Sequence, residues 1–401
     1  MSRPYDCIVI GAGSFGASAG MHLARAGARV LLLDMFHPPH KRGSHHGDTR
    51  IFRTAYTMGS AYVRLAERAR AGWLRLEEDA RRCFGLTSDA ANRMASTDEQ
   101  PERCKLFLPT GVISVGEAYS NALDKKEASC AANGVPYERW DEREAQRRLP
   151  ALCVPTQAQV LYEPEGGVLF SERIIEANLR LAEAYGAEWK PNHPVQRIAA
   201  VGNAVEVWSG NERFAASKVL VTTGAWLPRL LPSLCLPVRA ERRTVAWFED
   251  TSGSYAAERF PAFIVHQSAD SEYYGLPSVC GSGIKAGHHQ LGQTWDPDEE
   301  VAPFGSCSGE ERLLSEFAAQ HFPEAGRCIR GAACMYEMTP SEQFIIDRHP
   351  GEPAIWFAGG GSGHGFKFAS AIGDTVSRWM LHGKREPELE AFSLVCARLN
   401  T

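Results

Sequence analysis

The sequence has no closely spaced pair of cysteines. Its 11 cysteines are scattered from Cys7 to Cys396, the nearest two, Cys328 and Cys334, lie six positions apart, and C-x-x-C does not occur. Cysteine-based zinc sites and dithiol redox sites use cysteines about two to four positions apart, so neither is predicted. The scattered, odd-numbered set is typical of reduced thiols in an intracellular protein.

Long apolar runs and an excess of positive charge are absent as well. No run approaches the roughly 18 apolar residues of a membrane-spanning helix. The first apolar run, residues 7–10, leads straight into glycines, which indicates a strand and not a signal peptide. The 43 Lys and Arg against 48 Asp and Glu give a net charge of −5, which argues against a nucleic-acid or anionic-membrane surface. We therefore expect a cytoplasmic protein that binds neither.

A strand, a glycine loop, a helix and a second strand are predicted over residues 5–34. Glycines let the backbone approach a pyrophosphate, the helix N-terminus stabilises its charge, and an acid after the second strand can accept from a ribose hydroxyl. The residues in these roles are Gly11, Gly13, Ser14, Phe15, Gly16 and Asp34. The acid would repel a 2′-phosphate, so the pattern favours FAD or NAD over NADP.

A dense polar loop at 43–53 contains two His, an Asp and two Arg. Adjacent His45 and His46 point apart and no third ligand is spaced to join them, so no metal site is predicted. Arg50 and Arg53 would face one anionic ligand if the segment is helical. Ordinary surface charge is the alternative.

A second glycine loop, residues 359–365, precedes a predicted helix at 366–382. Lys367 falls in the first turn, where the helix dipole disfavours a cation. This placement indicates a bound anion, with a solvated surface lysine as the alternative.

A strand is predicted over residues 281–289. Its period of two places Lys285 and His289 on one face with glycines, which suits a backbone pressed against a flat ligand. An exposed strand face is the alternative. Tyr274 on the preceding strand is typical of core packing, and Cys334, between small residues, of a buried structural thiol.

The chain of 401 residues corresponds to two or three domains. Strands separated by turns dominate 238–300, whereas both ends of the chain alternate strands and helices. We predict an α/β fold with a β-rich insert: a Rossmann-type dinucleotide-binding domain of residues 1–237 and 341–401, interrupted by a mixed or antiparallel β-sheet substrate domain of residues 238–340.

Four segments together resemble the monomeric sarcosine oxidase and N-methyltryptophan oxidase family of FAD-dependent secondary amino acid oxidases, which also includes pipecolate oxidases. They occur in the family's order and span nearly the whole chain. The segments are Gly11–Gly16 with Asp34, GSHHGDTRIFR at 43–53, YYGLP and GIKAGHH within 273–289, and CMYEMTP, FIID and SGHGFK within 334–367.

The resemblance implies FAD joined covalently, as an 8α-S-cysteinyl group, to Cys334. It implies that Lys285 activates O2, and that Arg53 and Lys367 hold a substrate carboxylate. The further cofactor residues that it implies are His46, Thr49, Arg50, Val195, Gly363 and His364. Those that it implies for the amine pocket are Tyr274, Tyr336 and His289.

The implied reaction oxidises the C–N bond of a secondary α-amino acid to an imine that hydrolyses, while O2 becomes H2O2. The substrate is sarcosine or another N-methyl amino acid, or alternatively a cyclic imino acid such as pipecolate or proline. An NAD-dependent dehydrogenase and a catalytically silent FAD-binding interaction protein are alternatives from other classes. The presence of Lys285, Arg53 and Lys367 argues against a silent protein. A monomer with a small amino acid substrate and O2 is expected.

Three departures from the family pattern bear on substrate size. Val265 and Leu276 fall where sarcosine oxidases have Met and Phe, and Glu337 falls where they have a small hydroxyl residue. We therefore expect a substrate larger than sarcosine; the alternative is that neighbouring side chains refill the volume and leave the pocket small. Glu337 would accept a hydrogen bond from a polar or cationic substituent of the substrate, or alternatively point to solvent. Residues 85–105 are predicted to be a surface insertion of unknown function.

Overall fold

The computed structural model describes residues 4–84, 105–116, 121–202, 204–268 and 271–399. The predicted insertion at 85–105 lies, apart from its last residue, outside the described residues. The strands are β1 Tyr5–Ile10, β2 Val30–Leu33, β3 Thr49–Phe52, β4 Phe107–Leu108, β5 Val112–Gly116, β6 Glu138–Trp140, β7 Gln159–Glu163, β8 Gly167–Phe170, β9 Glu188–Lys190, β10 Arg197–Val201, β11 Ala204–Ser209, β12 Glu212–Val221, β13 Arg239–Phe248, β14 Ala262–Ser268, β15 Ser271–Leu276, β16 Ile284–His288, β17 Gln293–Thr294, β18 Cys328–Met338, β19 Ile345–Arg348 and β20 Ile355–Gly359. The helices are α1 Ser14–Arg25, α2 Ser60–Phe84, α3 Ala122–Asn133, α4 Glu142–Arg148, α5 Ser171–Ala184, α6 Leu227–Leu230, α7 Glu310–His321, α8 Ala369–His382 and α9 Leu394–Leu399.

The first sheet has eight strands and is built on the predicted strand–helix–strand unit. Its order is β10-β11-β12-β1-β2-β9, with β20 beside β12 and β19 beside β20. Strand β1 lies parallel to both β2 and β12. Every residue of β2 is buried, as expected for a parallel strand covered on both faces, and α1 packs against α5 and α8. The Rossmann-type part of the fold prediction is confirmed.

The second sheet has nine strands in the order β17-β13-β16-β15-β14-β5-β7-β6, with β18 also paired to β13. Most pairs are antiparallel, but β14 and β5 run parallel, with Ala262 opposite Val112. The sheet is mixed, as predicted. It also draws β5, β6 and β7 from the chain before residue 238, so a division by sheets would not coincide with the segment 238–340. The domain boundaries stay a prediction.

A small sheet with the order β3-β8-β4 lies where the two large sheets approach each other. It contacts β15 of the second sheet and the 3-10 turn Phe366–Phe368 that leads into α8. Helix α2 buries a stripe of apolar residues at helical spacing, which runs from Tyr62 to Leu76. In the described part of the chain, no helix combines the length and apolar character that crossing a bilayer requires.

Candidate active site

A cavity of about 320 Å³ opens where β1 and β2 end. The predicted residues that line it are Gly11, Gly13, Ser14, Phe15, Asp34 and Val195. Gly16 is not among them, because it packs against the loop itself: a Cβ there would lie 1.8 Å from the Gly11 oxygen. Gly11 has a φ of +90°, a conformation that glycine adopts without strain.

The Asp34 carboxylate holds the loops around this cavity in place. Its two oxygens accept hydrogen bonds from the amides of Ala12, at 2.7 Å, and Phe36, at 2.8 Å. The His40 Nε2 atom lies 3.5 Å from the same carboxylate. The predicted contact to a ribose hydroxyl stays a prediction.

Four buried polar atoms without a hydrogen-bond partner among the described residues border the same cavity. They are His40 Nδ1, Arg42 Nε, Thr223 Oγ1 and Glu337 Oε2. Buried polar groups are normally satisfied, so a set of unsatisfied ones indicates a polar ligand. Together with the glycine loop at the N-terminus of α1, they fit a dinucleotide such as FAD.

A narrow passage of about 30 Å³ continues from this cavity. Ser14 and Phe15 line both the first cavity and the passage. Arg50 and Tyr336 line both the passage and a second cavity of about 260 Å³. The three spaces therefore follow one another, as an elongated cofactor would require.

The second cavity, which we call the substrate cavity, gathers residues from widely separated segments. The predicted residues that line it are His46, Thr49, Arg50, Arg53, Tyr274, Lys285, His289, Cys334, Tyr336, Gly363, His364 and Lys367. The residues to which the resemblance gives a role in covalent attachment, oxygen activation, carboxylate binding or the amine pocket thus all border this single space, as do its further cofactor residues apart from Val195. Their individual roles stay predictions.

The polar loop is extended where a helix was considered. Strand β3 includes Arg50 and pairs with β8, so the helical condition for a shared ligand of Arg50 and Arg53 is wrong. Both still line the substrate cavity, because Arg53 lies just beyond the end of the strand. Arg50 donates to the carbonyls of Ser44, at 2.7 Å, and His46, at 2.6 Å.

At one end of the substrate cavity, two cations flank a tyrosine. The Arg53 guanidinium carbon lies 4.0 Å from the ring centroid of Tyr56. The Lys367 Nζ donates to Tyr56 Oη at 2.7 Å and to the His364 carbonyl at 3.0 Å. Lys367 is 7% exposed, so the alternative of a solvated surface lysine is wrong. Burial and the nearby Arg53 hold the pKa of Lys367 well below its usual value, which a bound anion would counteract.

Tyr56 was missed by the sequence reasoning. Its hydroxyl meets Lys367 across 311 positions of chain, and no local pattern predicts such a contact. The available signal was its place three residues after Arg53, where the polar loop ends.

Lys285 is buried on β16 and its ammonium group reaches the polar loop. Its Nζ donates to the carbonyls of Gly47, at 2.6 Å, and Thr49, at 3.0 Å. Burial, followed by the nearby Arg50, lowers the pKa of Lys285 to about 7. The strand begins at Ile284, so the glycines at 281 and 283 lie in the turn before it.

Two phenols face each other in the same cavity. The Tyr274 and Tyr336 hydroxyls are 3.0 Å apart. Burial raises the pKa of both tyrosines, so both are neutral near pH 7 and able to donate. The backbone of Gly363 lies against the Tyr336 ring: a Cβ there would be 2.1 Å from the ring, and its φ is +75°.

Two of the residues named for substrate size point elsewhere. Leu276 lines the substrate cavity as expected, but Ile264 does so in place of Val265, which faces the buried core beneath the sheet. Adjacent strand residues face opposite sides, so a one-residue error in the alignment reverses the face. The expected contact of Glu337 with substrate is also wrong, because Glu337 lines the first cavity and the passage. Burial raises its pKa to about 7.

Comparisons with known proteins agree on one family. The family model described as FAD dependent oxidoreductase matches residues 6–379. Monomeric sarcosine oxidase from Bacillus sp. (strain NS-129) is 37% identical over 399 residues, which cover 98% of this chain and 97% of the relative. N-methyl-L-tryptophan oxidase from Salmonella arizonae (strain ATCC BAA-731 / CDC346-86 / RSK2980) is 36% identical over 391 residues, covering 97% of this chain and 98% of the relative.

Among solved structures, the open form of NikD, an unusual amino acid oxidase essential for nikkomycin biosynthesis, superposes with a TM-score of 0.80. It covers 98% of both chains at 18% identity. At that identity the likeness concerns the fold.

Proposed function

The chain belongs to the family of FAD-dependent oxidoreductases, and from that premise we propose that it is an oxidase of secondary α-amino acids. The substrate loses two electrons and two protons across its C–N bond, and water hydrolyses the resulting imine. With an N-methyl substrate the products are formaldehyde and a primary amino acid. The electrons pass to O2, which becomes H2O2. Sarcosine and N-methyl-L-tryptophan are the compounds in the names of the relatives.

One observation carries the proposal. The first cavity leads through the passage into a space where Arg53 and Lys367 both contact Tyr56. Among the described residues, Arg53 forms no ion pair, and its one hydrogen bond goes to the Ala55 carbonyl. Its guanidinium therefore has donors left for a carboxylate. In the proposed complex, the two cations fix the carboxylate and so orient the rest of the amino acid.

FAD, when bound, accepts the two electrons of amine oxidation and delivers them to O2. The glycine loop and the start of α1 would hold its pyrophosphate, and Cys334 is the proposed point of covalent attachment. Cys334 is 4% exposed and lines the substrate cavity. Attachment there would exchange the S–H bond of Cys334 and one C–H bond of the cofactor's 8α-carbon for a thioether, and O2 would take up the two electrons released.

The remaining residues would act on charge and position. The Lys285 ammonium, held by two carbonyls, would stabilise the negative charge that develops on O2. The neutral hydroxyls of Tyr274 and Tyr336, with His289, would position the amine. We also propose that the protein is a monomer.

Release of peroxide from purified protein tests the function. The panel contains sarcosine, N-methylalanine, N-methyltryptophan, pipecolate and proline, with glycine and alanine as controls that lack the secondary amine. We expect peroxide from at least one secondary amine and little from the controls. Formaldehyde equal to peroxide identifies an N-methyl substrate, whereas peroxide without formaldehyde identifies a cyclic one. A yellow protein that oxidises no member of the panel would contradict the proposal.

A further inference from the structure

The substrate cavity contains a carboxylate that the proposed reaction does not use. Glu272, on β15, lines the cavity with Arg53 and His289. Its side chain is 22% exposed, and its Oε1 has no hydrogen-bond partner among the described residues. Arg53, Lys285 and Lys367 supply positive charge to the same cavity. The proposed binding of the substrate carboxylate and reduction of O2 use these cations and give no role to an acidic group.

A chain of buried groups holds the other oxygen of Glu272. Oε2 lies 3.2 Å from His266 Nδ1, and His266 Nε2 lies 3.1 Å from Lys126 Nζ. The Lys126 ammonium also donates to the Ser114 hydroxyl at 2.8 Å. An ammonium can only donate, so Nε2 of the neutral imidazole accepts and the ring hydrogen lies on Nδ1, the ring atom nearest Glu272. The tautomer of His266 is thereby fixed.

The electrostatics of this chain keep Glu272 ionised. Burial acts to raise the pKa of Glu272, but nearby positive charge, that of Lys126 first, outweighs it and lowers that pKa. Burial lowers the pKa of His266 to about 3, so its ring is neutral. Lys126 is 4% exposed and its direct partners are uncharged. A buried cation is costly without a counter-charge, and Glu272, reached through the imidazole, supplies it.

The chemistry of the reaction restricts what Glu272 can bind. The two cations beside Tyr56 bind the substrate carboxylate in the proposed complex, so Glu272 is not needed for that group. The amine that is oxidised must present its lone pair, and a carboxylate next to it would stabilise the unreactive ammonium instead. A second, permanent positive charge on the substrate must therefore come from its side chain.

We infer that Glu272 forms a subsite for a cationic side chain, and that the preferred substrates are secondary α-amino acids ending in an ammonium or guanidinium group. This inference rests on the proposed function. The inferred subsite replaces the expected contact of a cationic substituent with Glu337, because Glu337 lines the first cavity and the passage.

The test compares substrates of matched length in the holoenzyme. Nα-methyl-lysine, Nα-methyl-ornithine and Nα-methyl-arginine are compared with the neutral Nα-methyl-norleucine, and kcat/KM is measured for each. We expect at least one basic substrate to exceed Nα-methyl-norleucine by about tenfold or more, because charge pairs in sites shielded from water are strong. A neutral substrate that equals or exceeds all three would overturn the inference, and this comparison needs no variant.

A variant assigns the preference to one residue. Glu272→Gln keeps the shape and removes the charge, so kcat/KM should fall about 30-fold or more for the basic substrate and change little for Nα-methyl-norleucine. Glu342→Gln is the matched control, since Glu342 also lines the cavity. Equal losses for both substrates, or a loss of the preference in Glu342→Gln alone, would refute the assignment.

The same panel separates this inference from the proposed function. If sarcosine, pipecolate and Nα-methyl-norleucine are oxidised without a preference for basic substrates, the inference alone fails. If no secondary amine yields peroxide, the proposed function fails and the inference with it.

Discussion

The two arginines of the substrate cavity, Arg50 and Arg53, differ in how many of their N–H donors already bond to the chain itself. Arg50 donates to three backbone carbonyls, those of Ser44, His46 and Thr49. Arg53, three positions later, donates to one acceptor among the described residues, the Ala55 carbonyl. Side chains with spare donors are the ones that bind ligands, so the two arginines are expected to respond differently to substitution.

The first prediction concerns the carboxylate site. Arg53→Met and Lys367→Met should each weaken binding of a simple carboxylate inhibitor by about 2–5 kcal/mol, because each removes one charged partner from a shielded site. The inhibition constant of the holoenzyme measures this. Arg64→Met is the control, since Arg64 is exposed on α2 and pairs with Glu388. Unchanged affinity in both cavity variants would exclude the carboxylate site.

The second prediction concerns Lys285 and oxygen. Its pKa of about 7 means that the ammonium form is lost as pH rises through 7. The rate constant for reoxidation of reduced enzyme by O2 should therefore fall between about pH 6 and pH 8. Lys285→Met should lower this constant by about 10²–10³ and remove that step. Stopped-flow measurement decides, and reoxidation of the variant at wild-type speed would contradict the role.

The third prediction concerns Glu337 and stability. Its folded pKa of about 7 lies above the ordinary 4.5, so between these values the folded chain keeps a proton that the unfolded chain has lost. Stability should therefore fall as pH rises across this window, by about 3 kcal/mol from this group. Glu337→Gln should remove the loss, so its Tm relative to wild type should increase from about pH 5 to pH 8. Exposed Glu258→Gln should show no such trend.

Much of the active site could be predicted where the local spacing of residues indicates a strand or a loop and a charged residue stands at a position that would otherwise be apolar. On β16, the period of two correctly separated the cavity residue Lys285 from Ile284 and Ala286, which pack in the core. Local patterns do not encode contacts between distant segments. The contact of Tyr56 with Lys367 joins the segment after β3 to the turn before α8. The chain from Lys126 to Glu272 arises only when β5, β14 and β15 come together in one sheet.

The same limit explains the errors. The prediction for Val265 depended on counting residues across a turn, and one position changes the face. The serine at the start of α5 shows the same limit, because the Ser171 hydroxyl donates to the His45 carbonyl and does not cap the helix. In both cases a tertiary contact, and not local spacing, decides the orientation.

At the same scale, the close approach of the second glycine loop to β18 gives the fourth prediction. Gly363→Ala would place a methyl group in the Tyr336 ring. We therefore expect a loss of Tm well beyond the loss that backbone strain alone would cause. Gly383→Ala is a matched control, because Gly383 has the same φ of +75° but nothing within 4 Å of a Cβ. Strain at such a φ costs about 1 kcal/mol. Equal losses of Tm would show that the approach is not tight.

The whole molecule is held as two large sheets with a cofactor path between them. The path touches α1, which packs on the first sheet, and β18 of the second. A molecule lying in it contacts both sheets, so binding to the folded chain stabilises them together. The small sheet carrying Arg50 contacts β15 of the second sheet and the 3-10 turn before α8, and α8 packs on α1.

The fifth prediction concerns this connection through the cofactor. If Cys334 is the attachment site, acid denaturation of wild type should leave the yellow colour with the protein, whereas Cys334→Ser should release it. In that variant the Tm should rise with added FAD, because bound and free cofactor then exchange. Cys328→Ser on the same strand is the control and should keep its colour. Colour that leaves wild-type protein with the small molecules would contradict covalent attachment.

The alternation along β16 also bears on how this enzyme could diversify. Lys285 lines the substrate cavity and Gly287 lies against Tyr274 on the same side. Ile284 and Ala286, which alternate with them, pack in the core. Selection on substrate range therefore acts on one set of positions, and selection on folding acts on the interleaved set. Descendants of this chain could change their chemistry one strand face at a time while inheriting an unaltered framework.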